Sequence, residues 1–310
     1  MSVNRRDFLK TVGLATVGGT MGGLSAAPAR ASHGPVISDK LMGVLVDIPR
    51  CIGCRRCEFA CQEAARFDPP PVETFEDKSV FMEKRRPHPR SHTVINQYPN
   101  PKDQTQPLYN KFNCLHCVDP ACMSACLVSA FSKQPDGPVV YDKSRCMGCR
   151  YCLVACPFEI PTYDYDMPLT PQVRKCNLCA HLVPSQQPVP ACVKICPEEV
   201  LTYGKRSDLL ELAHEKIRNE RDANGDPVYI DHVYGEHEAG GTSWLWLSSV
   251  PFDEVGFKHF GHQAPPRLTE KIQHAEFKYF IPPLMWYGLL GAAMWLTKPD
   301  KRTPPVSDQH

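Results

Sequence analysis

The chain lacks a charge excess: 35 basic side chains stand against 34 acidic ones, a formal net charge of +1. Nothing in that balance calls for a nucleic-acid partner. No cysteine is followed by histidine, which excludes the Cys-x-x-Cys-His attachment of c-type haem. No Gly-rich phosphate loop, nucleophile constellation or open metal site of catalytic type is present, so nothing supports substrate chemistry by the chain itself. Charge-free apolar runs are scarce too, with one near the C-terminus. No cysteine is left over once the cysteines are sorted by spacing. What is abundant is cysteine, 16 in 310 residues, and proline, 31. So much proline favours loops over long helices or broad sheets.

The N-terminal stretch NRRDFLK, with Arg5, Arg6, Phe8, Leu9 and Lys10, resembles a twin-arginine export signal. A mildly apolar, Gly-rich segment follows, then Ala29-Arg30-Ala31, an A-x-A cleavage pattern. Residues 1–31 are therefore set apart from the fold. Exported chains rich in cysteine normally form disulfides. Here the spacing points elsewhere.

The cysteines fall into four groups of four: Cys51, Cys54, Cys57, Cys61; Cys114, Cys117, Cys122, Cys126; Cys146, Cys149, Cys152, Cys156; and Cys176, Cys179, Cys192, Cys196. The first and third have the spacing C-x2-C-x2-C-x3-C. The second lengthens the middle gap to four residues and the fourth to twelve. Three thiolates on one tight loop can hold three irons of a cubane, and the fourth cysteine reaches the neighbouring cluster of a two-cluster unit. Gly53 and Gly148 sit between the first two ligands, and Pro157 and Pro197 follow a last cysteine. A zinc site needs two Cys-x-x-Cys pairs but not the additional third cysteine two residues on. A disulfide framework does not require one ligand pattern repeated four times.

The groups are duplicated. RCIGCRRCEFAC (50–61) and RCMGCRYCLVAC (145–156) match in register, as do PACMSAC (120–126) and PACVKIC (190–196). LVSAFSKQPDGPVVYDKSR, between Cys126 and Cys146, reads as strand, turn and strand. That hairpin joins the second and third groups into one unit, residues 111–164. The first and fourth complete another, from 40–110 and 165–206, with strands at 43–49 and 199–204. The expected fold is α+β: two interleaved ferredoxin-like units, loop-rich, plus one C-terminal transmembrane helix. Crossed ligation assigns four 4Fe–4S clusters: Cys51, Cys54, Cys57, Cys196; Cys176, Cys179, Cys192, Cys61; Cys114, Cys117, Cys122, Cys156; and Cys146, Cys149, Cys152, Cys126.

Elsewhere the reading is plainer. Residues 62–110 form a proline-rich polar insertion with no clear periodic element, and Lys84, Arg85, Arg86 and Arg90 read as a solvated face. His116, inside CLHC, reads as a loop residue. Residues 207–276 form an extension: a helix over 207–221 capped by Ser207 with an apolar stripe of Leu209, Leu212, Ala213 and Ile217, then a buried strand within 238–252 whose Trp244 and Trp246 pack the core. YFIPPLMWYGLLGAAMWLT (279–297) is long enough for a bilayer core at about 1.5 Å per residue. The expected membrane helix is 277–298, with 299–310 as a cytoplasmic tail and the cluster domain on the periplasmic side of the inner membrane.

KFNCLHCVDPACMSAC, CRYCLVACPFEIPTYDYDMP and YGEHEAGGTSWLWLSSVPF resemble the HybA-type four-cluster ferredoxin subunits of periplasmic hydrogenase-2, with the beta subunits of formate dehydrogenase and related molybdopterin oxidoreductases as the wider family. The sequence departs at Leu127, where a proline would follow Cys126. The resemblance implies an electron-transfer subunit without a catalytic site. Its partners would be the large and small subunits of a [NiFe] hydrogenase and an integral-membrane quinone-reactive subunit. It also implies that the third-group cluster lies nearest the membrane. A formate dehydrogenase complex is the alternative within this class. A membrane-tethered assembly or scaffold protein is the alternative outside it.

Overall fold

The computed structural model describes residues 38–166, 172–180, 189–266 and 283–296. The elements in chain order are short. β1 (Met42–Asp47) leads into the first cysteine loop and α1 (Arg56–Ala64). β2 (Thr93–Tyr98) and β3 (Leu108–Asn113) precede the second group, which runs into α2 (Ala121–Ser124). β4 (Phe131–Lys133) and β5 (Val139–Tyr141) precede the third, which runs into α3 (Tyr151–Ala155). β6 (Thr162–Asp164) and β7 (Gln172–Arg174) precede the fourth, which runs into α4 (Ala191–Lys194). β8 (Leu201–Lys205), α5 (Arg206–Asn219), β9 (Trp244–Leu247) and α6 (Pro283–Leu296) complete the order.

β1 is apolar on both faces because both are covered. It is the central strand of the sheet β8-β1-β9, antiparallel to β8 and parallel to β9. With a side-chain period of two, Val44 and Val46 join Trp244 and Trp246 on the face that packs toward the cysteine loops. Leu45, Leu245 and Leu247 take the other face, against Leu209, Ala213 and Ile217 of α5. The strand before the first cysteine group thus pairs with the strand after the fourth, and α1 packs on α4. The β4–β5 hairpin lies between the second and third groups, and α2 packs on α3.

Three expectations change. The helix after β8 starts at Arg206, with Lys205 as its N-cap; Ser207 lies inside the first turn and its hydroxyl donates to Asp208 Oδ1 (2.8 Å). Buried Arg206 sets that earlier start, donating to the carbonyls of Thr242 (2.7 Å), Gly235 (3.1 Å) and Glu236 (2.9 Å). The 62–110 insertion is not featureless: it supplies β2 and most of a regular antiparallel hairpin with β3. Arg85 is not part of a solvated face but reaches buried Glu58, with Nη2 2.6 Å from Oε1 and Nη1 3.0 Å from Oε2. Arg55 binds the same carboxylate (3.1 and 3.3 Å), and the Ile95 N–H donates to it at 2.6 Å. This carboxylate ties the insertion to the residue after Cys57.

The export-signal residues 1–31 and the tail 299–310 lie outside the described residues. Of the expected membrane helix 277–298, residues 283–296 are described and are helical over 14 residues. Among the described residues, no helix is long and apolar enough to cross a membrane.

Candidate iron–sulfur site

The repeated sequence folds into repeated backbone. Gly53 (φ +69°) and Gly148 (φ +78°) take the left-handed region at the same place in the first and third groups. Arg55 (φ +60°) and Arg150 (φ +63°) take it again just before α1 and α3. At Gly53 a side chain is also barred by space, since a Cβ would lie 2.4 Å from the Tyr109 ring. Past the last cysteine of the other three groups, Ser129, Glu159 and Glu199 repeat a positive φ, and each N–H returns to the carbonyl of Cys126, Cys156 or Cys196. The first group departs: Cys61 lies within the longer α1.

All sixteen thiols are free of disulfides. Cys51, Cys54, Cys57 and Cys196 line one small cavity. Cys61, Cys176, Cys179 and Cys192 line another. Each cavity gathers four thiols from two separate cysteine groups into one cradle, the ligand set a cubane cluster takes. The thiols line these cavities instead of meeting at one point. Among the described residues, no three His, Cys, Asp or Glu side chains are placed to hold a single metal ion. Among the described residues the buried Trp244 indole N–H meets no hydrogen-bond partner, and Trp244 is part of the second cavity's wall.

The remaining eight thiols fall into two sets, by which neighbours would oppose the ionisation of each. Cys117 feels Cys156, Cys114 and Cys122; Cys152 feels Cys146, Cys126 and Cys149. Links between sets run in a file. Cys57 interacts with Cys192, Cys176 with Cys114, and Cys122 with Cys152. The file runs from the Cys51 set to the Cys61 set, then the Cys114 set, then the Cys146 set. Cys149, in the last set, is exposed.

Burial raises these thiols. Cys51, Cys122, Cys152 and Cys176 are each pushed up to about 12, and Cys57, Cys61 and Cys117 well above the usual thiol range. Ligation requires the thiolate, so metal binding in these cradles must release protons. Backbone donors favour the anion. The Gly53 N–H reaches Cys51; Leu178 N–H reaches Cys176 Sγ (3.3 Å); Ala130 N–H reaches Cys126 Sγ (3.2 Å); and Ile160, Phe158 and Glu159 all serve Cys156. Such N–H···S contacts tune cluster potentials.

His116 is more than a loop residue. It is fully buried at φ +51°, and its Nδ1 accepts the Val139 N–H at 2.9 Å, which locks the second cysteine loop to β5. Burial, then Lys175 and Lys133, hold its imidazole well below the usual range, so it is neutral. The sequence reading missed Lys111, buried on β3 and part of the wall of both thiol cavities. Its signal was a lysine at the centre of LYNKFN, a stretch of strand-forming aromatics.

The duplicated cysteine loops and thiol-lined cradles define a ferredoxin-like 4Fe–4S protein. Residues 105–206 match a 4Fe-4S dicluster domain, and residues 50–130 match a second family model of the same description. A protein of Nitratidesulfovibrio vulgaris strain Hildenborough is 45% identical over 301 residues, covering 96% of this chain and 77% of its own. Hydrogenase-2 operon protein HybA of Escherichia coli O157:H7 is 33% identical over 310 residues, covering 91% and 92%. The nitrate-inducible formate dehydrogenase iron-sulfur subunit of Escherichia coli K12 is 31% identical over 207 residues, covering 66% of each. The chain belongs to the HybA family of iron–sulfur subunits and carries multiple 4Fe–4S clusters.

Proposed function

We propose that the chain is the electron relay of a membrane-bound periplasmic oxidoreductase, with four 4Fe–4S clusters held by the four thiol sets above. The observation that carries this reading is the gathering of thiols from two cysteine groups around each of two cavities, Cys51, Cys54, Cys57 and Cys196 around one and Cys61, Cys176, Cys179 and Cys192 around the other. When bound, each cluster takes up or gives back one electron. The chain's own residues space the clusters, exclude water from them and set their potentials through burial and N–H···S contacts. The chain needs no catalytic site for this work.

The two ends of the file suit two partners. Around the Cys146 set, Leu127, Met147, Tyr151 and Val154 are exposed, from 56% to 88%. Such an apolar patch suits a protein interface, here with an integral-membrane quinone-reactive subunit. The Cys51 set, beside exposed Ile52, would face the catalytic subunits. A [NiFe] hydrogenase is the favoured partner because the similarity to HybA extends over nearly the whole of both chains. A formate dehydrogenase is the second reading, favoured by the shorter match to its iron-sulfur subunit. The twin-arginine signal would export the folded, loaded protein, and the 277–298 segment would anchor it in the inner membrane with the C-terminus in the cytoplasm.

The test is to purify the native complex and add H2 or formate while following the visible absorption of the clusters. Bleaching by H2 supports the hydrogenase reading. Bleaching by formate but not H2 rejects it in favour of the second.

A further inference from the structure

Lys111 stands out among the buried polar groups. It is 3% exposed, on β3 opposite Ile95. Its ammonium donates to the Thr93 hydroxyl and lies 4.9 Å from the centroid of the Trp244 ring. Among the described residues, no carboxylate lies within ion-pair distance of it. Two other lysines near thiol sets, Lys133 and Lys175, are different, since each donates to two backbone carbonyls. A buried ammonium served by one hydroxyl and one aromatic face is badly undercompensated.

Its compensation lies on both sides. Lys111 lines the cavity of Cys51, Cys54, Cys57 and Cys196 and also that of Cys61, Cys176, Cys179 and Cys192. It attracts the sulfurs of both: Cys51 and Cys57 in the first, Cys61 and Cys179 in the second. The β2–β3 hairpin therefore carries one fixed cation into the wall between two redox sites.

We propose that Lys111 is a potential-setting residue shared by the clusters of these two cavities. This rests on the relay reading above. Reduction adds one electron to a cluster and so one negative charge beside a fixed positive one, with no proton needed for balance. At low local dielectric the attraction is strong, so Lys111 raises both midpoint potentials. It thereby sets them apart from the clusters of the Cys114 and Cys146 sets.

The test uses the full chain in its native complex, with iron counted first. An EPR-monitored redox titration then compares wild type with Lys111→Met, which keeps length and loses charge, and Lys111→Arg, which keeps charge. In Lys111→Met two of the four midpoints fall, each by about tenfold in the reduction equilibrium, or about 59 mV for a one-electron couple. Lys111→Arg restores them. Four unchanged midpoints in an iron-complete Lys111→Met protein overturn the proposal. If Lys111→Met loses iron, Thr93→Asp carries the titration, because it neutralises the ammonium while leaving it in place. The same two midpoints must then fall, and unchanged ones again overturn it. Loss of iron from both charge-neutralised proteins with Lys111→Arg fully loaded supports the charge role. Loss from Lys111→Arg as well shows a packing role and overturns it. A wild-type complex without clusters would instead defeat the relay reading itself.

Discussion

Replacing Glu58 by glutamine isolates the contact that ties the insertion to the first cysteine loop. The Glu58 side chain is 1% exposed, that of Arg55 8% and that of Arg85 24%. Its two oxygens accept from both guanidiniums at 2.6 to 3.3 Å and from the Ile95 N–H at 2.6 Å. Glutamine keeps the shape and an acceptor for Ile95. It removes the negative charge and points an NH2 at groups that can only donate. Breaking a buried pair by removing one partner costs about 3–5 kcal/mol. Arg85 is partly wet, so the lower end applies, about 3 kcal/mol. At about 1.4 kcal/mol per tenfold, the opening equilibrium of the β2–β3 hairpin rises by about two orders of magnitude. Hydrogen exchange of the Ile95 amide reads that opening directly. An acceleration under tenfold would mean the triad is worth no more than a surface ion pair, and the account of what anchors the insertion would fail.

Gly53→Ala places a methyl in the left-handed region and against the Tyr109 ring, and should cost the cluster of the Cys51 cavity, about a quarter of the iron. Gly225→Ala, also at positive φ but with nothing within 4 Å of its Cβ, is the control and should retain full iron; equal loss in both would refute the steric argument. Leu209→Ala removes a core contact between α5 and the sheet and should destabilise the fold by about 2–5 kcal/mol in denaturant titration. In iron-free protein, thiols raised by burial to about 12 bind their protons more tightly folded than unfolded. That stability is complete below the usual thiol value and is lost as pH rises from about 9 toward about 12. Denaturation midpoints of the iron-free chain should fall across that window, and a flat profile would contradict the burial of these thiols.

Much of the fold was legible in the sequence because it is stated there twice. RCIGCRRCEFAC and RCMGCRYCLVAC share residues and, in the structure, share the positive φ at Gly53 and Gly148 and at Arg55 and Arg150. β1 is readable as a continuous apolar run, the β4–β5 hairpin from its Pro-Asp-Gly turn, and α5 from the helical period of its apolar residues. The β2–β3 hairpin is not, because five of its nine buried residues are polar. Thr93, Asn96, Asn110, Lys111 and Asn113 are all buried, and they serve carbonyls and thiol cavities that local sequence does not show. Arg85 was hidden for the same reason: its partner is 27 residues away. His116 lies in a loop as its sequence suggests, but the Val139 N–H that fixes it comes from a different element.

The central claim is that four thiol sets hold four 4Fe–4S clusters in a file. Iron analysis combined with dithionite-reduced EPR of the full chain tests it most directly. The account predicts about sixteen irons per chain and reducible signals from four magnetically interacting 4Fe–4S centres. Iron-free or zinc-loaded protein with no reducible paramagnet would contradict it.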